Sequence, residues 1–248
     1  MDRLTLAIEQ VGAGEKVLDV GVGWGELAKN IKKHKQVELY AIDVAQEALD
    51  EVRDYVVDSQ LVDISYEKIK FEDNQFDTVV CLEVFEHLQN PYHALLEIQR
   101  VLKPGGKLLI SIPNHLGGHL MIYPGLMTAK FFRSFLKQNY FSIKKFLLWG
   151  PVLNKGNVGK WLGLKIKSKW LVSAFLIPVQ VLIRVVQAVT KLFGLKLSSL
   201  YWVYFFVCEN KKDKMDKPLW IKQLEQTTEL KGQLGWWHPY YHQHHHHV

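Results

Sequence analysis

A chain of 248 residues, 48% hydrophobic and 23% charged, is long enough to bury a sizeable core and too apolar for a disordered segment. Two cysteines, Cys81 and Cys208, exclude a disulfide-stapled scaffold, and no long apolar run follows Met1-Asp2-Arg3, so no secretory signal is expected. The net charge of +6 hides a segregation: residues 1–115 carry 12 Lys/Arg against 20 Asp/Glu, whereas residues 116–207 carry 13 Lys/Arg and no acid.

Residues 4–11 read as a short leading helix. Val17, Leu18 and Val20 then form an apolar run expected to be a buried parallel strand. Gly21, Gly23 and Gly25 follow at once, and Leu27, Ala28 and Ile31 recur at helical spacing. The order is strand, glycine turn, helix. Glycines there permit a tight turn and let a ligand approach the main chain, while the helix start adds free N–H groups and a partial positive charge. The dinucleotide fingerprint G-x-G-x-x-G is not met, because Glu26 stands where its third glycine belongs.

Val37 to Ile42 reads as a second strand ending at Asp43, about twenty residues beyond the glycine turn, where a carboxylate suits a ribose diol. Ala45 to Val57 has the pattern of an amphipathic helix, and Ser59 to Ile64 that of a short third strand. Thr78 to Leu82 is the next apolar strand, followed by Glu83-Val84-Phe85-Glu86-His87. Pro91 to Val101 reads as a helix stopped by Lys103-Pro104-Gly105-Gly106, and Lys107 to Ile112 as a fifth strand.

These features, in this order, resemble the class I S-adenosylmethionine (SAM)-dependent methyltransferases. Asp19-x-Gly21-x-Gly23-x-Gly25 matches their first motif. The turn Phe71 to Asp77 before its strand, and the run R-V-L-K-P-G-G-K-L-L-I-S-I-P-N, match the fourth-strand and fifth-strand regions. The resemblance covers about residues 15–115. It implies a Rossmann-like, doubly wound, mostly parallel seven-stranded α/β sheet. It also implies that SAM is held by Asp19, Gly21, Gly23, Gly25, Asp43, Asp63 and Glu83, with Asp63 toward the adenine. Glu83-x-x-Glu86-His87 looks like the metal-binding E-x-x-E-H of ubiquinone-pathway O-methyltransferases and small-RNA 2′-O-methyltransferases. That likeness implies a divalent cation on Glu83, Glu86 and His87, although similar segments occur in relatives without a metal. If the acceptor is a hydroxyl, His87 is the first candidate for the base, with His115 and His119 in reserve.

The rest of the fold should come from a helix at Met127 to Gln138, a sixth strand at Phe141 to Trp149, and a last strand at Leu200 to Cys208. The expected organisation is a cofactor-binding core over residues 1–150, a basic helical insert over 151–199, the last core strand over 200–210 and a polar, His/Trp-rich tail over 211–248. In the insert, Ser173, Gln180, Arg184, Gln187 and Lys191 form one narrow polar stripe on the otherwise apolar stretch Trp170 to Phe193. Five lysines from Lys155 to Lys169 precede it. A broad apolar face beside a basic flank suits an anionic membrane surface; a lid over an apolar substrate, a helix pair packed on itself or on a twin subunit, and a cap packed on the core are the other readings. The tail histidines, His242 and His244 to His247, have no carboxylate or cysteine beside them to complete a zinc site.

The expected function is methyl transfer to a hydrophobic or lipid-linked small molecule, by a cytoplasmic protein peripheral to a membrane. An RNA methyltransferase is an alternative, opposed by aromatics that look packed in helices and strands rather than offered as a stacking groove. A SAM-binding, membrane-associated protein without catalysis is another.

Overall fold

The computed structural model describes residues 3–114, 121–151 and 201–214, together with five helical residues at 177, 181, 182, 185 and 186. His115, His119, most of the stretch Trp170 to Phe193 and nearly all of the tail lie outside the described residues. Seven strands, β1 (Lys16–Val20), β2 (Glu38–Asp43), β3 (Asp58–Leu61), β4 (Phe76–Leu82), β5 (Leu102–Pro113), β6 (Phe141–Pro151) and β7 (Tyr201–Asn210), form one sheet in the order β3-β2-β1-β4-β5-β7-β6. The first five are parallel, and β7 runs antiparallel between β5 and β6. The strand order reverses direction beside β1, the point at which open α/β sheets bind ligands.

Among the described residues, the helices α1 (Arg3–Gln10), α2 (Glu26–His34), α3 (Gln46–Val52), α4 (Pro91–Val101) and α5 (Ala129–Gln138) cover the sheet. Alternation along each strand decides what packs where. Val17, Leu39, Val80 and Leu109 face Ala7 of α1, Leu27, Ala28 and Ile31 of α2, and Leu49 and Val52 of α3. Leu18, Val79, Leu108 and Ile110 face the opposite way, onto Ala94, Leu95 and Ile98 of α4 and Phe132 and Leu136 of α5. Because both faces of the central strands are covered, they read as continuous apolar runs. Cys81 and Cys208 are buried free thiols in the second of these layers, and burial pushes their ionisation up.

Three elements differ from the sequence reading. The helix expected over 45–57 ends at Val52 and passes into a 3₁₀ turn, Arg53–Tyr55, because the Val57 N–H is drawn to the Leu39 carbonyl at 2.7 Å to start β3. The third strand ends at Leu61, so Asp63 lies in the loop after it. Lys103 to Gly106 do not precede β5 but belong to it. They bulge out opposite Asp77, which accepts from Lys103 Nζ at 2.6 Å.

Among the described residues no helix is long and apolar enough to cross a membrane.

Candidate active site

The carboxyl ends of the parallel strands gather nearly every residue singled out above. After β1 the chain turns through Gly21 and Gly23 at φ 76° and 55°. A side chain at Gly21 would lie 2.3 Å from Val84 Cγ2, so glycine lets the end of β4 settle on the turn. A side chain at Gly23 would meet open space, which leaves its main chain accessible to a ligand.

Asp43, at the end of β2, ties this turn to α3. Its Oδ2 accepts from Gly23 N at 3.1 Å and its Oδ1 from Ala45 N at 2.9 Å. Asp19 lies behind the turn on β1 and is buried. Its Oδ2 has no hydrogen-bond partner among the described residues. Burial, and then the charge of Asp43, push its carboxyl up to about 7. Asp63 holds its own loop, accepting from Ser65 N at 2.9 Å, while Val62 N donates to the Asp43 carbonyl at 2.9 Å. Asp63 and Asp43 thus stand on neighbouring backbone at one edge.

Glu83 follows β4 with φ 57°, a left-handed conformation that a non-glycine residue adopts at some cost. Its amide donates to the Ser111 carbonyl at 3.0 Å. Its carboxylate meets Arg3 Nη1 at 2.8 Å, and Oε1 is buried without a hydrogen-bond partner among the described residues. The chain then enters a 3₁₀ turn, Phe85–His87. Glu86 is fully buried, and burial, with Glu83's charge adding, pushes its carboxyl up to about 8. His87 has a side chain 53% exposed, with Nε2 at 3.8 Å from Glu86 Oε1. The segment after β5 closes over this turn: Ile122 N donates to the Glu86 carbonyl at 2.9 Å.

Glu83, Glu86 and His87 therefore occupy three environments: ion-paired, buried and exposed. Among the described residues no group of three or more His, Cys, Asp or Glu is gathered to hold a metal ion. At its left-handed turn Glu83 directs its carboxylate to Arg3.

Two residues escaped the sequence reading. Arg3 reaches Glu83 because α1 lies along the sheet with its far end held by Lys107 Nζ, which donates to the Gln10 carbonyl at 2.7 Å. Nothing local in the sequence signals that. Ser111 is fully buried in β5, its Oγ without a hydrogen-bond partner among the described residues. A lone hydroxyl inside L-L-I-S-I-P was the available signal.

Comparison with known proteins agrees with this architecture. Residues 18–110 match a family model described as a methyltransferase domain. Relatives include the ubiquinone biosynthesis O-methyltransferase of Neisseria meningitidis, 29% identical over 142 residues, which are 54% of this chain and 58% of that protein. The protein of the same name from Acinetobacter baylyi is 33% identical over 120 residues, 45% and 50% of the two chains. The chain thus spans about half the length of the curated relatives it matches. Among solved structures, a SAM-dependent methyltransferase from Aquifex aeolicus superposes with a TM-score of 0.53 at 18% identity, over 84% of this chain and 89% of that one. The cyclase SpnF superposes at 0.55, also at 18% identity, over 84% and 79%. These two likenesses bear on the fold, the expected Rossmann-like seven-stranded sheet.

Proposed function

With a methyltransferase domain as the premise, we propose that the protein transfers a methyl group from SAM to a hydroxyl of a hydrophobic, quinone-like small molecule. The observation that carries the cofactor half is the buried Asp19 carboxyl, its Oδ2 without a hydrogen-bond partner among the described residues, behind an open glycine turn that is pinned by Asp43. A buried carboxyl of this kind is costly unless a ligand cation meets it. SAM has such a cation in its amino-acid ammonium, and when bound it supplies a methyl already activated on a sulfonium.

The chain's own residues divide the remaining work. Asp19 accepts from the ammonium. Arg3, now on Glu83, is the cation at this edge suited to the amino-acid carboxylate. Asp43 accepts from the ribose hydroxyls, and Asp63 stands toward the adenine. Displacement at a methyl carbon then needs in-line positioning and exclusion of water more than covalent help from the protein. A hydroxyl acceptor must lose a proton, and His87 offers an exposed imidazole to take it. The acceptor class is supported by the relatives' name, ubiquinone biosynthesis O-methyltransferase.

The test is transfer of labelled methyl from SAM to aromatic diols with and without an apolar tail. The expected result is incorporation that favours the tailed acceptor, falling by about 10²–10⁴ in His87→Ala while SAM binding is retained. Unchanged turnover in that variant would remove His87 as the base. SAM binding without transfer to any acceptor would favour the non-catalytic reading.

A further inference from the structure

We infer that Tyr66, Ile122 and Tyr123 form the acceptor subsite beside His87, shaped for the flat face of a neutral aromatic ring, with Gln89 as the residue that positions it. That the ring is a methyl acceptor rests on the methyl-transfer reading; that a ring binds here rests on the geometry.

The segments that follow β3, β4 and β5 are tied together at Gln89, two positions past His87. Tyr66, after β3, donates its hydroxyl to Gln89 Oε1 at 2.6 Å. Tyr123, after β5, donates to the Gln89 carbonyl at 3.1 Å. The Gln89 amide donates to Ser65 Oγ at 3.2 Å, and His93 Nδ1 meets the Ile64 carbonyl at 3.0 Å. Ile122, next to Tyr123, is held by its amide on the Glu86 carbonyl at 2.9 Å. The Tyr123 side chain therefore starts beside Glu86 and ends at Gln89. Its ring lies along the turn that carries His87 between them.

Side chains tied in this way are not packed away. Tyr66 is 59% exposed, Tyr123 43% and Ile122 46%. A tyrosine with a fixed hydroxyl and an open ring is a flat apolar wall that is already ordered. A ligand that covers it costs little further side-chain freedom. Both hydroxyls are engaged, which leaves the ring faces as the recognition surface.

Charge narrows the ligand. Ser65 to Glu67, Val84 to His93 and Met121 to Tyr123, which surround this mouth, include no lysine or arginine. A phosphate-bearing or nucleic-acid acceptor would find no guanidinium or ammonium among them. A neutral ring finds partners for offset or edge-on contact, and Ile122 offers an apolar surface to its substituents.

The test reads binding before turnover. tert-Butylcatechol is titrated by calorimetry into the full chain and into Tyr123→Ala, Gln89→Ala and Gln89→Glu. S-adenosylhomocysteine, the cofactor after methyl loss, is present throughout so that no methyl is transferred. The full chain should bind the catechol, and Tyr123→Ala at least about tenfold more weakly. Gln89→Ala should bind it about two- to fivefold more weakly, and Gln89→Glu, which keeps an oxygen for Tyr66, should recover most of that loss. tert-Butylcyclohexanol, which has no flat face, should bind the full chain at least about tenfold more weakly than the catechol. SAM affinity and the melting temperature should stay unchanged in all three variants, and in turnover the loss should fall on KM for the catechol rather than on kcat. The subsite is ruled out if the full chain does not bind the catechol, if the saturated alcohol binds as tightly, or if Tyr123→Ala binds the catechol as the full chain does. It is also ruled out if SAM affinity falls in step with catechol affinity, the mark of a merely structural role. The expected binding pattern without methyl transfer would support the subsite and remove the catalytic reading alone.

Discussion

Asp19 keeps its proton near neutral pH because burial and the neighbouring Asp43 disfavour its charged form. An ammonium ligand needs that form, so binding below pH 7 must first remove the proton. SAM affinity should therefore rise between pH 5 and 8, losing about tenfold for each unit below Asp19's pKa of about 7. Titration calorimetry across that range checks it, and Asp19→Asn should bind weakly with a flat profile. The same groups govern stability without ligand. Asp19 and Glu86 have raised folded-state values, so the native state binds more protons than the unfolded chain between about pH 4 and 8. Their stabilisation is present below the unfolded carboxyl range and is lost as pH rises through about 7 and 8. Glu86→Gln should accordingly raise the melting temperature at pH 8.5 and leave it little changed at pH 5. Gly21→Ala should destabilise by about 1–3 kcal/mol, since it adds strain at positive φ and a clash with Val84. Adding Val84→Ala should return part of that loss in a double-mutant cycle. Asp19, Asp43 and the glycines were legible in the sequence because their roles depend on chain spacing. Arg3 was not, because its pairing with Glu83 depends on where α1 lies.

Elements were legible where burial enforces a pattern. β1, β4 and β5 are covered on both faces and read as largely apolar runs, and α4 shows its inward stripe of Ala94, Leu95, Ile98 and Val101, all fully buried. Ile98→Ala should cost about 2–5 kcal/mol of unfolding free energy, measured by denaturant titration. Boundaries set by distant partners were misread. The end of α3 is decided by a hydrogen bond to β2, and the Lys103 to Gly106 bulge by Asp77 on β4. In the E-x-x-E-H segment, whose spacing suits three ligands, the left-handed Glu83 is ion-paired with Arg3, a partner that spacing does not show. At the other end of the sheet, the pairing of Pro151 with Tyr201 was invisible, although both strands were expected from their aromatic and β-branched content. That pairing carries a prediction: with residues 152–200 replaced by a two-residue Asn-Gly turn, the core should still melt cooperatively and bind SAM.

At the scale of the whole molecule, the charge segregation seen in the sequence becomes a polarity of the fold. One edge of the sheet is bound by paired charges. The other brings together the carboxylates of β1, β2 and β4, the mouth at His87 and the ends of the basic insert. The proposed function makes this second edge the SAM site. Calorimetric titration of SAM into the full chain at pH 8, beside the same titration of Asp43→Ala, tests it most directly. One SAM should bind per chain, at least about tenfold more weakly in the variant, where a charge-assisted hydrogen bond to the ribose is lost. No binding to the full chain, or equal binding to both proteins, would contradict it.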